Sequence, residues 1–105
     1  HHVREMSDLT GAERRHLMAL VFATEVALRE LYQPDKINLA SLGNVTPHLH
    51  WHVIPRWRDD RNFPAPIWAE PRRAAPPAGS RPTVGLTALY DRLVGALAEG
   101  QGGNF

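Results

Sequence analysis

Histidine occupies every second position of the run Pro47-His48-Leu49-His50-Trp51-His52-Val53-Ile54-Pro55, with apolar Leu49, Trp51 and Val53 between. A repeat of two suits an extended strand, whose side chains alternate between faces. A helix would scatter the same residues. On a strand from about 48 to 55, all three imidazoles share one face and the apolar residues line the other. The run thus predicts an element, its two faces and one chemically active side.

The chain has 105 residues, of which 43% are hydrophobic and 22% charged. That is one soluble globular domain, 1–105, with a modest core. The formal net charge of +1 creates no large field to attract nucleic acid or a membrane. Without cysteine, disulfides, thiolate chemistry and cysteine-based zinc sites are excluded. No segment approaches the ~20 apolar residues of a membrane span. No secretory leader pattern opens the chain, so a cytoplasmic location is expected. His1 is readable as the end of an expression tag.

The elements around the histidine run can be placed in order. Residues 1–9 read as an extended lead-in. Thr10 and Glu13 have the spacing of a capping box. Leu17, Leu20, Val21, Thr24, Ala27, Leu28 and Leu31 follow with helical spacing, which predicts a helix from about 11 to 32 that stops at Pro34. Met18, Phe22 and Val26 widen its apolar face beyond one stripe, so a second layer or a dimer partner should cover it.

A strand is expected over 36–42, then a turn at 43–47, then the histidine strand, together an antiparallel hairpin. Asn38 would lie on the histidine face and Asn44 at its mouth. The segment before residue 83 carries Pro64, Pro66, Pro71, Pro76, Pro77 and Pro82, which exclude helix and central strand. Leu86, Leu89, Leu93 and Leu97 predict a C-terminal helix over 83–99. Residues 100–105 should be flexible. The domain is therefore α+β. Two strands alone are marginal in water, so chain upstream of residue 1 or a second subunit should complete the sheet.

Six arginines between 56 and 81 stand against Asp59, Asp60 and Glu70. This surplus reads either as attraction for an anionic ligand or as solvated loop charge.

Two chemistries fit the three imidazoles. Neutral imidazoles bind zinc, but the first and third lie ~13 Å apart along a straight strand. One tetrahedral ion could not collect all three without a bend and a further ligand. The alternative is nucleophilic attack on phosphorus, forming a phosphoramidate. The central His50 is then the nucleophile, and a flanking imidazolium supports developing charge or the leaving group. Ordinary half-exposed strand histidines would explain one such residue more easily than three.

The run His48-Leu49-His50-Trp51-His52-Val53-Ile54 resembles the signature of the histidine triad (HIT) superfamily of nucleotide hydrolases and transferases. The preceding segment from Asn38 to Pro47 is similar to that family's strand and phosphate loop, particularly in the bacterial diadenosine polyphosphate hydrolase-like branch. The segment from His2 to Leu9 looks like its lead into the long helix. The resemblance covers about residues 2–70, followed by the proline-rich loop at 71–82. It implies an antiparallel sheet with a long helix and a C-terminal helix, in a family whose N-terminal hairpin lies before the start of this chain.

The resemblance also implies roles. His50 would attack the α-phosphate of a nucleotide, giving a nucleotidyl-histidine that water then hydrolyses. His52 would contact phosphate or the bridging oxygen. The main-chain carbonyl of His48 would orient the His50 ring through Nδ1. Asn38, Asn44, Gly43, Thr46 and the outlying His2 would bind substrate. No cofactor or obligatory metal is implied, and a homodimer is. The substrate would be a dinucleoside polyphosphate or a nucleoside phosphoramidate. The rival readings are a metal-dependent hydrolase built on the same histidines, and a non-catalytic, dimeric nucleotide-binding module.

Overall fold

The computed structural model describes residues 2–101, apart from the side chain of Gln101. The elements run α1 (Gly11–Tyr32), β1 (Lys36–Ala40), β2 (His52–Arg56) and α2 (Leu86–Gln101), an α+β arrangement. The expectations for His1 and for residues 102–105 fall outside the described residues.

Helix α1 starts as its capping box requires. Thr10 Oγ1 accepts from the Glu13 N–H at 3.1 Å, and Glu13 Oε1 accepts from the Thr10 N–H at 2.8 Å. It ends where Gln33 turns left-handed at φ 51° and donates its N–H to the Arg29 carbonyl. Pro34 then prevents continuation. The lead-in is less extended than expected, because Met6–Asp8 forms a short 3-10 turn. The Glu5 N–H donates to Asp8 Oδ2 across it at 3.0 Å.

Among the described residues, Val21, Ala23 and Ala27 of α1, Ala96 of α2 and Ile37 of β1 are the buried apolar ones. Helix α2 packs along α1, and Arg92 on α2 pairs with Glu30 on α1. A second layer against α1 is therefore supplied within one chain. Helix α2 begins at Leu86 rather than 83, with the Gly85 carbonyl taking the Leu89 N–H. It continues through Gly100, a residue expected to be flexible.

The two strands pair antiparallel, with Lys36 opposite Arg56, Asn38 opposite Ile54 and Ala40 opposite His52. The register puts His52, Ile54 and Arg56 on the face that also carries Ala40, Asn38 and Lys36. Both strands are shorter than expected, and 41–51 is irregular. The cause is local competition for backbone groups. Gly43 turns at φ 76°, Pro47 has no N–H, and the His48 N–H folds back onto the Thr46 carbonyl at 2.8 Å. The His48 carbonyl is occupied by the His50 ring rather than by a partner strand.

Candidate active site

Only His52 of the three histidines lies in the sheet. His48 and His50 precede it in the irregular segment, so the strand expected from about 48 begins only at His52. The rings make two close pairs. His50 and His52 lie with centroids 5.0 Å apart and planes at 79°. His48 stacks on His2 of the lead-in at 4.7 Å, with planes 20° apart. The lead-in is held there by the Leu49 N–H, which donates to the Val3 carbonyl at 2.9 Å. His50 is half-buried, and His2, His48 and His52 are exposed.

His50 Nδ1 lies 2.6 Å from the main-chain carbonyl of His48. A carbonyl oxygen only accepts, so Nδ1 carries the proton and donates it. Nε2 of the neutral ring is then left with a lone pair. An imidazole whose tautomer is set this way is prepared for attack through Nε2 or for accepting a proton there. The adjacent His52 ring stands edge-on to it, 5.0 Å away between centroids. Among the described residues, no three His, Asp or Glu side chains gather closely enough to hold a metal ion.

The other anticipated residues are placed as follows. Gly43 is left-handed, and a Cβ there would sit 3.3 Å from the Thr46 carbonyl and 4.0 Å from that of His48. Glycine is thus required next to the carbonyl that holds His50. Asn44 and Thr46 are exposed at the turn. Asn38 shares the sheet face of His52, but its Oδ1 accepts from Arg56 Nη1 at 2.8 Å. That side-chain oxygen is engaged within the protein rather than directed at a ligand.

Two features were missed in the sequence. Ser41 Oγ donates to the main-chain carbonyl of His50 at 2.8 Å. Arg56 is only 2% exposed and organises the loop that follows β2. Its guanidinium donates to both oxygens of Asp60, to Asn38 and to the Ala65 carbonyl, and it lies over the Phe63 ring. Asp60 also accepts the N–H groups of Trp57, Asn62 and Phe63. The Arg56 guanidinium, helped by these N–H groups, holds the Asp60 carboxyl well below the usual carboxylate range, against the opposing effect of burial. Arg73 donates to the carbonyls of Asp60 and Phe63, and Arg81 pairs with Asp59 while lying over Trp57. Three of the six arginines therefore bind the chain's own loop. The spacing of Arg56 and Asp60 was the available signal, hidden in a segment that read as loop charge.

A strand that delivers one imidazole, a preceding turn that locks its neighbour's tautomer, and a long capped helix behind them define a histidine triad domain. Residues 1–59 match the HIT domain family, and the chain belongs to it. Among curated proteins, it is 34% identical over 67 residues to the AP-4-A phosphorylase of two Mycobacterium tuberculosis strains. That match takes in 58% of this chain, which spans only about a third of the length of those relatives (34%). Solved histidine triad proteins share the fold. The one from Marinobacter aquaeolei is 27% identical with a TM-score of 0.65, covering 92% of this chain and 67% of that one. The one from Bradyrhizobium japonicum is 29% identical with a TM-score of 0.62, covering 92% and 66%. The one from Sinorhizobium meliloti is 25% identical with a TM-score of 0.63, covering 92% and 65%. No helix among the described residues is long and apolar enough to cross a membrane.

Proposed function

We propose that this chain carries the nucleophilic site of a nucleotide-processing enzyme. The reaction is nucleotidyl transfer from a dinucleoside polyphosphate or a nucleoside phosphoramidate, by way of a histidine-bound intermediate. The observation that carries this reading is the bond from His50 Nδ1 to the His48 carbonyl. It leaves Nε2 as the atom with a lone pair. As Nε2 bonds to the α-phosphorus, the ring becomes cationic, and the carbonyl dipole at Nδ1 stabilises that charge. The bond from phosphorus to the bridging oxygen or nitrogen breaks, and the electron pair leaves with that atom. His52, 5.0 Å away ring to ring, meets the phosphate or protonates the leaving group. Attack by an acceptor on the same phosphorus then breaks the P–N bond and returns His50 to its starting form.

Gly43, Asn44, Thr46 and His2 are proposed to contact substrate, supported by the stacking of His2 on His48 and by the Gly43 turn beside the His48 carbonyl. Asn38, whose Oδ1 is taken by Arg56, is proposed to act through that residue rather than on substrate. The acceptor distinguishes two outcomes. With water the enzyme is a hydrolase. The name of the curated relatives favours inorganic phosphate instead, which would make it a phosphorylase. Incubation with diadenosine tetraphosphate separates them: water yields AMP and ATP, whereas phosphate yields ADP and ATP. Turnover in neither condition would refute the reading for this substrate class, as would a His50→Ala chain as active as wild type. We further propose that the working form is a homodimer. Its support is the two-stranded sheet, with Leu39, Ile67 and Trp68 exposed.

A further inference from the structure

The β1–β2 ladder ends at the pair Ala40 and His52. Continued by the same register, Ser41 would face Trp51 and Leu42 would face His50, but the strands part there. The nucleophile's backbone thus sits just beyond the last rung of the sheet. From the β1 side it is held by the Ser41 hydroxyl, which donates to the His50 carbonyl at 2.8 Å. The ring of the same residue is held by the His48 carbonyl.

We propose that Ser41 is a positioning residue for His50, fixing where its Nε2 meets the substrate phosphorus. The inference rests on nucleotidyl transfer through His50. Its physical basis is geometric. A carbonyl can be tethered only by a donor, and no main-chain rung continues the ladder at this point. The serine hydroxyl fixes the peptide plane after His50. The ring's bond to His48 fixes its rotation. Together they set the ring against His52 at 5.0 Å and 79°. With the first tether removed, the His50 backbone is free to move relative to the sheet, and the short bond to His48 loosens with it. Displacements on the scale of 1 Å in a reacting group reduce rates by up to ~100-fold.

The test uses the full chain with Ser41→Ala, Ser41→Thr and Ser41→Cys. In Ser41→Ala, kcat should fall about 10- to 100-fold with KM little changed, since the hydroxyl is spent on the His50 carbonyl. Ser41→Thr keeps the donor and should restore most of the rate. Ser41→Cys keeps the size with a weaker donor, should fall between them, and replaces the alanine variant if that one does not fold. The ring nitrogens of His50, read by 15N NMR, supply an activity-independent measure. Wild type should show the Nδ1–H tautomer, and Ser41→Ala a mixture of both. An unchanged kcat and tautomer in Ser41→Ala would overturn the role of Ser41 while leaving nucleotidyl transfer standing. Equal loss in the alanine and threonine variants would also overturn it, because the hydroxyl would not be the cause. A wild type without turnover would count against the function itself, and the tautomer measurement would still decide the tether.

Discussion

Replacing Asp60 by asparagine should destabilise the domain strongly, although Asp60 contacts none of the four histidines. Its carboxylate accepts from Arg56 Nε and Nη2 and from the N–H groups of Trp57, Asn62 and Phe63. All of these groups are donors. An asparagine must turn its NH2 either toward Arg56 Nε and the Trp57 N–H, or toward Arg56 Nη2 and the N–H groups of Asn62 and Phe63. At least two hydrogen bonds become donor–donor contacts in either orientation. Arg56, 2% exposed, also loses its counter-charge. Breaking a buried pair from one side costs about 3–5 kcal/mol. The 20% exposure of Asp60 admits water and argues for the lower end, about 3 kcal/mol. At about 4–8 °C per kcal/mol, the melting temperature should fall by roughly 12–24 °C. Circular dichroism melts and urea titration measure both. The pH dependence supplies a second signature. Because the folded carboxyl titrates below its unfolded value, its contribution is complete above the unfolded pKa. It is lost as pH falls below about 4 toward the folded value. Wild type should therefore lose stability in acid more steeply than Asp60→Asn. A variant within about 1 kcal/mol of wild type at pH 7 would refute the keystone role of the pair.

Gly43→Ala should cost about 1–2 kcal/mol, because φ is 76° there. It should also lower kcat by pressing on the turn that presents the His48 carbonyl; a variant with wild-type melting temperature and kcat would contradict this. Activity should survive EDTA, since no described residues gather as a metal site. Stoichiometric zinc by elemental analysis, with chelator-sensitive turnover, would favour the metal-dependent rival. Sedimentation at micromolar concentration should give a dimer, and Trp68→Glu should weaken it if the exposed Ile67 and Trp68 lie in the interface. A monomer would contradict the homodimer.

Helix α1 was legible to the residue, because Thr10, Glu13 and Pro34 are local signals that act through the backbone itself. The existence of both strands was legible too, and so was their antiparallel pairing. Their ends were not. Alternation extends through His48, yet the ladder stops at His52. Gly43, Pro47 and two side chain-to-carbonyl bonds withdraw the backbone groups a longer ladder would need. The triad's identity was plain in the sequence, but the close His50–His52 and His2–His48 pairs were not. Arg56 was hidden for a different reason. Charge runs in proline-rich segments usually face solvent, and only the loop's return over the sheet buries this one. Ser41 gave no pattern at all, since a tether between residues nine apart is visible only once both are placed.

The stereochemical course at phosphorus bears most directly on the histidine-bound intermediate. A dinucleoside polyphosphate made chiral at the attacked α-phosphorus, by sulfur and an oxygen isotope, reports the number of in-line displacements. Attack by His50 followed by attack by the acceptor makes two inversions, so the product should show net retention. Net inversion would mean that the acceptor attacks the substrate directly, and would contradict a nucleophilic role for His50.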